Sequence, residues 1–419
     1  DTLSLHDALP IFDMGIRVRG IGSGTQNNSD ALIVIDGVPN TNSNALSSLN
    51  PKDIESITVL KDAASTALWG SRGANGVVMV TTKKGQQGRA KVTFEGRWGI
   101  NQQGPFKYEK IDDPAEMYEW AWQSIYNTAR YYGGENYTTN VKNPNMSHEE
   151  AALFASQHLF DAQPLGNTSS FSRNALGNHM LYNVPGATYT PTGSGSTASS
   201  TMTGAYLIDP STGKLNPNAE LLYWDPWDGH FLQNRFRQEY NVSVSGATDK
   251  TDYFISAGYL EDPSYIQGSQ FNRYNVRSNI NSQITKWLKA GINMAYSRRA
   301  VQSPATRYGR NPGSAVANVF RWVNGQNQLI PLYQRNADGS YILDAAGNKQ
   351  YTSAAEQNGS VVGPTGGPTS TANLDYILNH DKDETISNDI NIRGYVEAKF
   401  LKDFTFQANL STDQTFAMR

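Results

Sequence analysis

From Lys91 onward the chain repeats one pattern: apolar and polar residues alternate with period two over long stretches. In KVTFEGRWGI, Val92, Phe94, Trp98 and Ile100 fall on one face, and Lys91, Thr93, Glu95 and Arg97 on the other. RYNVRSNINSQIT sets Tyr274, Val276, Ile280 and Ile284 against Asn275, Arg277, Asn279, Asn281 and Gln283. The same alternation runs through residues 240–244, 253–259, 288–296, 390–400 and 404–410. Successive side chains on a strand point to opposite sides, so each stretch predicts a strand with one apolar and one polar face. About seven such strands are expected.

Alternation alone serves a soluble sandwich as well as a membrane barrel, because both hide one face. Three features favour the barrel. Several stretches run to roughly 9–13 residues, the length a tilted membrane strand needs, against about 5–6 in ordinary sheets. Their polar faces carry Asn, Gln, Arg and Glu, which suits a wet, plug-filled lumen. The connections also alternate in kind. TDKT (248–251), TKW (285–287) and LKD (401–403) are tight turns, whereas about 101–236, 261–270 and 300–385 are longer loops. Short turns at one end and long loops at the other are the barrel pattern. Tyr274, Val276, Ile280 and Ile284 are then expected to face lipid. Asn275, Arg277 and Asn279 are expected to face the lumen, where Asn275→Arg would be tolerated.

The first part of the chain reads differently. ALIVIDG is a short buried-looking strand closed by a turn at Asp36 and Gly37, and Pro39 ends it. ESITVLKD is a strand. DAASTALWG suggests a helix with Asp62 as N-cap and Gly70 as a left-handed C-cap. Gly70, Gly73 and Gly76 then precede the strand VVMVTTKK. A phosphate loop needs its glycines before a helix, where free N–H groups meet the anion. Here they follow the helix, where carbonyls point outward, so the glycines serve backbone geometry and Arg72 is expected to pair locally with carboxylates or carbonyls. QQGRA (86–90) is a polar linker.

Residues 16–39 (IRVRGIGSGTQNNSDALIVIDGVP) and 49–85 (LNPKDIESITVLKDAASTALWGSRGANGVVMVTTKKG) resemble the plug-domain signature of SusC/RagA-type TonB-linked outer-membrane proteins. Residues 242–297 resemble the barrel of the same family. The resemblance implies a mainly β fold: part of an α+β plug domain, then the first strands of a transmembrane antiparallel β-barrel. It places 12–88 in the C-terminal part of the plug and 89–419 in the N-terminal part of the barrel. Residues 1–11 (DTLSLHDALPI) resemble translated sequencing adapter and are set aside as a non-native leader. The segment that would contact TonB is missing, and transporters of this class have about 22 strands, so the chain reads as an internal fragment. The family implies an importer in the bacterial outer membrane, working with TonB and a SusD-like surface lipoprotein. Its cargo would be oligosaccharides, or peptides as in importers of the RagA kind. A cell-surface β-protein for binding or adhesion is the rival reading and would need no plug. The plug enters from the periplasm, so the first strand rises and the connection 101–236 lies outside.

Composition narrows the remaining chemistry. The 419 residues contain no cysteine, which removes disulfides, thiol nucleophiles and Cys-based zinc sites. A net charge of −3 gives no reason to expect nucleic acid as a partner. The 22 tyrosines outnumber the 15 phenylalanines, a balance suited to half-wet surfaces. The histidines are scattered, HEEAALFASQH reads as an amphipathic loop helix, and GSGSTASSTMTG reads as a flexible loop without a nucleophile elbow. Neither an enzyme nor a metal or cofactor site is expected. DPAEMYEWAWQSIYNTARYY (113–132) predicts a loop helix with Pro114 in its first turn. Tyr223, Trp224 and Trp227 in LLYWDPWDGHF are the ligand-stacking candidates, with loop anchoring at the barrel rim as the simpler alternative.

Overall fold

The computed structural model describes residues 30–40, 49–62, 66–104, 111–132, 146–160, 181–192, 199–303, 331–351 except 337, and 383–418 except 402, with a few shorter stretches and single positions between them. Seven long strands form one antiparallel sheet. They are β5 (Gly88–Asn101), β6 (Arg235–Ala247), β7 (Thr251–Pro263), β8 (Gln270–Gln283), β9 (Leu288–Ser303), β10 (Asp383–Phe400) and β11 (Phe404–Met418). Each pairs with its sequence neighbour, from β5 at one edge to β11 at the other. The three tight turns fall at the expected positions, and the sheet does not close on itself among the described residues.

The alternation of the sequence becomes two faces. Phe94, Val242, Ile255, Val276, Met294, Val396 and Phe406 lie exposed on one side. Arg273, Asn275, Arg277, Asn279 and Asn281 are buried on the other. No described helix is long and apolar enough to cross a membrane.

Ahead of this wall lies a four-stranded sheet, ordered β2-β1-β4-β3. Its members are β1 (Leu32–Ile35), β2 (Val38–Asn40), β3 (Ile54–Leu60) and β4 (Val77–Thr82). Ile33, Ile35, Leu49, Ile54, Val78 and Val80 build its core. Asp36 and Gly37 both have positive φ, 49° and 81°, as a two-residue type I′ hairpin turn requires. The Asp36 carboxylate also holds the end of β4, accepting from the Thr82 N–H at 2.8 Å and from its hydroxyl at 2.7 Å.

The glycine segment departs from expectation. Instead of an α-helix ending at Gly70, residues Ala67–Gly73 form 3₁₀ turns, and Gly70 is the kink inside them (φ 57°, ψ −144°) rather than a left-handed cap. The chain folds back tightly enough that a Cβ on Gly73 would sit 2.8 Å from the Thr66 carbonyl oxygen. Gly76 combines a φ of +99° with close approach, since a Cβ there would lie 2.8 Å from Val18 Cβ. Gly76→Ala is therefore expected to destabilise this domain by about 1–3 kcal/mol. A fall of several degrees in the thermal midpoint would register it, and an unchanged midpoint would contradict the steric reading.

The connection between β5 and β6 has its own core. Helix α1 (Pro114–Asn127) begins where the sequence suggests, with the Asp113 carboxylate accepting from the Ala115 N–H at 2.9 Å. Helix α2 (His148–Gln157) starts with a capping box between Ser147 and Glu150. Tyr118, Trp122, Leu159, Phe160, Leu181, Met202, Leu207 and Ile208 pack between them and the adjoining ribbons. The Trp122 indole donates to Ser156 Oγ at 2.8 Å, and the Ser156 hydroxyl donates in turn to the Ile208 carbonyl at 2.7 Å. The Gly/Ser/Thr stretch is in part a hairpin, not simply a flexible loop: Ala187–Thr192 pairs with Ser199–Gly204, while 193–198 lie outside the described residues.

Candidate functional site

The small sheet sits against the polar face of the large one, and polar contacts tie the two together. Asn50 Nδ2 donates to Asn241 Oδ1 on β6 at 2.7 Å. Asn279 Nδ2 on β8 donates to Thr82 Oγ1 at 3.0 Å and to the Lys83 carbonyl at 2.8 Å. Arg273 reaches the Leu49 carbonyl at 3.2 Å, and Arg393 on β10 reaches the Ile35 carbonyl at 3.0 Å. Lys52 pairs with Glu95 on β5 at 2.6 Å. Backbone carbonyls at the ends of the plug elements are thus satisfied by wall arginines rather than by water.

Asp53 is the centre of this interface. It lies in the short 3₁₀ turn Pro51–Asp53, positioned by Asn50, whose side chain caps the Lys52 N–H. Its Oδ1 accepts from Ser256 Oγ on β7 at 2.6 Å, and its Oδ2 lies 3.4 Å from Arg277 Nε on β8. Both partners of the ion pair are buried, with side chains 5% and 4% exposed for Arg277 and Asp53. Burial pushes the Asp53 carboxyl above its ordinary value, against the opposing pull of Arg277 and the Ser256 hydroxyl. This ion pair costs desolvation and gives position: it works only when the plug is seated.

The wall also has charge pairs of its own. Arg299 binds Asp389 at 3.0 Å, Arg393 lies 3.5 Å from Asp413, and Arg237 lies 3.3 Å from both Glu239 and Asp262. Over this stretch the lumen is filled by the plug, as the sequence reading expects, and its polar groups meet protein rather than water. Asn275 is 6% exposed beside two arginines. The expected tolerance of Asn275→Arg does not fit that burial.

At the loop end the stacking candidates have structural partners. Tyr223 is largely buried, and burial pushes its phenol up to about 12. The Arg335 guanidinium stacks over it at 4.9 Å and over Tyr341 at 3.6 Å, while also pairing with Asp225. Trp224 packs on the loop core. Trp227 opens the short helix Trp227–Phe231, and its side chain lies outside the described residues. Beside them, Asp375 gathers His230 at 2.8 Å and the Tyr333 hydroxyl at 2.6 Å. These contacts clamp three loop segments together over Phe231, Leu332 and Leu378. A cavity of about 450 Å³ opens at the loop ends of the strands, among Asn101, Asp262, Tyr265, Gln270, Phe271 and Gln302. Arg72 is exposed, and its side chain has no hydrogen bond or ion pair to a described residue. No group of three metal-ligating side chains occurs among the described residues.

Sequence reasoning found the strands and a plug against their polar faces, and missed which residues meet there. A signal was present: the polar faces of β8 and β10 carry arginines where a purely wet lumen needs only amides and hydroxyls.

Residues 11–77 match the TonB-dependent Receptor Plug Domain family model. TonB-dependent receptor P3 of Formosa agariphila is 25% identical over 336 residues, covering 80% of this chain and 23% of that protein. TonB-dependent receptor SusC of Bacteroides thetaiotaomicron is 48% identical over 98 residues, 22% of this chain and 10% of SusC. The chain therefore spans less than a quarter of these relatives' length. Among solved structures, the RagAB peptide importer in its closed-closed state aligns with a TM-score of 0.54 at 19% identity, over 92% of this chain and 35% of that one.

Proposed function

We infer that this chain, which carries plug and barrel strands of a SusC/RagA-type TonB-dependent transporter of the outer membrane, serves energy-coupled import of a nutrient. The observation that carries the reading is the buried polar seam between plug and wall. A seal built from hydrogen bonds and ion pairs separates when water enters, because each group can be rehydrated. An apolar seam of the same area would resist separation by the full hydrophobic term. TonB, pulling from the periplasm, would supply the work. The protein makes no covalent change to its cargo.

Oligosaccharide is our reading of the cargo, on the 48% identity to SusC over 98 residues, with a SusD-like lipoprotein as the surface partner. A peptide cargo rests on likeness of fold to the RagAB peptide importer. Cells whose only importer of this type is a complete transporter carrying this sequence should take up labelled oligosaccharides but not oligopeptides. Uptake should stop when the proton-motive force is collapsed. Uptake of the peptides alone would move the assignment to the second class. Uptake of either without energy would remove the importer reading.

The topology has its own test. The connection from about 101 to 236 is expected outside the cell, so protease added to intact cells should cut within the Gly/Ser/Thr-rich stretch, between Thr188 and Ser211. Cutting only after the outer membrane is opened would invert the proposed orientation.

A further inference from the structure

We propose that the outward face of the wall holds a negatively charged membrane lipid by its phosphate, through Arg298 on β9 and Asn388 on β10. The site rests on the membrane reading of the seven strands and is separate from the cargo and its import.

Arg298 stands on the side of the wall away from the plug. Its neighbours Ser297 and Arg299 are buried, and Arg299 pairs inward with Asp389. The period of two therefore turns Arg298 outward, together with the exposed Met294 and Tyr296. The side chain has no hydrogen bond or ion pair to a described residue. Two outward carboxylates lie on neighbouring strands, and neither pairs with it. Glu261 is two strands away on β7, about 10 Å, and accepts from Gln238 Nε2 at 2.6 Å and from the Tyr259 hydroxyl at 3.0 Å. Glu384 stands opposite Gln302, four residues or about 14 Å further along the strands.

A second donor lies beside the guanidinium. Asn388 stands directly opposite Arg298. The Tyr296 hydroxyl donates to Asn388 Oδ1 at 2.9 Å, which fixes the amide and leaves Nδ2 without an acceptor among the described residues. A guanidinium and an amide N–H on adjacent strands match a partner that only accepts and carries negative charge.

The row in which Arg298 sits gives its depth. Across the sheet Tyr240, Tyr259, Tyr274 and Arg298 stand opposite one another in turn. The first two ring pairs have centroids 6.5 and 4.9 Å apart, and the Trp98 indole donates to the Tyr240 hydroxyl at 3.0 Å. On one side of this row the outward residues are Val242, Ala257 and Val276. On the other they are Gln238, Glu261 and Asn272, and β9 continues with Ala300 and Gln302. Amphipathic rings between an apolar and a polar band mark the membrane–water boundary. Arg298 is thus at headgroup depth, its stem against hydrocarbon and its charge among phosphates. The fork of the guanidinium takes a phosphate bidentately. A zwitterionic headgroup brings a cation of its own to compete, so a lipid of net negative charge is favoured.

The test is native mass spectrometry of a complete transporter carrying this sequence, released from micelles holding equal amounts of phosphatidic acid and phosphatidylcholine with the same acyl chains. Expected is an excess of phosphatidic acid among the first lipid adducts. Arg298→Gln should cut that excess about fivefold. Arg298→Lys keeps the charge without the fork and should fall between the two. Inorganic phosphate in the buffer should displace nothing, because the acyl chains hold the headgroup in place. Equal retention of the two lipids, or an excess unchanged in Arg298→Gln, would overturn the site while leaving the strands in lipid. Displacement by inorganic phosphate would make it a free-phosphate site and overturn the lipid assignment. A two-copy species that retains neither lipid would give this face to a second copy of the chain, and the proposal would fall. None of these results bears on import, which uptake of labelled oligosaccharide measures separately.

Discussion

Replacing Arg277 by alanine is expected to loosen the plug by about 3–5 kcal/mol, because it leaves the buried Asp53 carboxylate without its charge partner. The cost lies in what remains rather than in the contact removed. Arg277 lies 3.4 Å from Asp53, a modest attraction, yet its loss strands an anion in a site where burial already disfavours charge. Hydrogen exchange of the β1 and β4 amides in a complete transporter measures the effect directly, as faster exchange of strands that are otherwise core. Asp53→Asn on top of Arg277→Ala should recover most of the protection. The amide oxygen still accepts from Ser256, and no charge is left stranded. A double variant as loose as the single one would show that Arg277 acts by packing alone.

The pH dependence of the single variant follows from the same burial. A carboxyl whose folded pKa is raised binds its proton more tightly in the folded state, so its contribution to stability declines as pH rises from the unfolded value of 3.8 through the folded one. Arg277 restrains that rise in the native protein, and its removal widens the window. The Arg277→Ala plug should therefore regain protection on acidification. A loss of protection on acidification would contradict the assignment of Asp53 as the stranded group.

How much of this was legible in the sequence depends on which partner a residue faces. Val276 and Phe406 announce themselves because lipid accepts only apolar groups, and the period of two carries that rule along every strand. Helix α1 was legible through Asp113 and Pro114, a local signal spanning two residues. The polar face carries less information: Asn275 or Arg277 says only that lipid is excluded, and water and a docked domain satisfy that equally. Asp53 and Ser256 meet across 203 positions, and His230 and Asp375 across 145, with nothing local to mark either. The glycine segment shows a different failure. Ala63, Ala64, Ala67 and Leu68 favour a helix, yet Gly70 and the tight return of Gly73 onto Thr66 impose 3₁₀ turns, so a tertiary constraint overrides local propensity.

Val276→Arg, one residue from Arg277, should fail for the opposite reason. Val276 lies near the middle of β8, is 51% exposed, and pairs with Ala257 on β7 and Tyr296 on β9 in the apolar band. An arginine there must hold its charge in hydrocarbon, at about 2–4 kcal/mol near the bilayer midplane. The native arginine at position 277 avoids that cost because the alternation turns it inward to a carboxylate. Thr93→Arg on β5 is the control, since Thr93 lies on the luminal parity of an exposed stretch and an arginine there can stay hydrated. Folding a complete transporter carrying each substitution into vesicles, followed by denaturant unfolding, should lower the stability of the Val276 variant by the stated amount. The Thr93 variant should stay within about 1 kcal/mol of the parent. Equal losses would mean that the outward face of β8 is not in lipid. A tolerated Val276→Arg would mean that the exposed band is covered by protein that accepts charge, and the membrane reading of the seven strands would have to be given up.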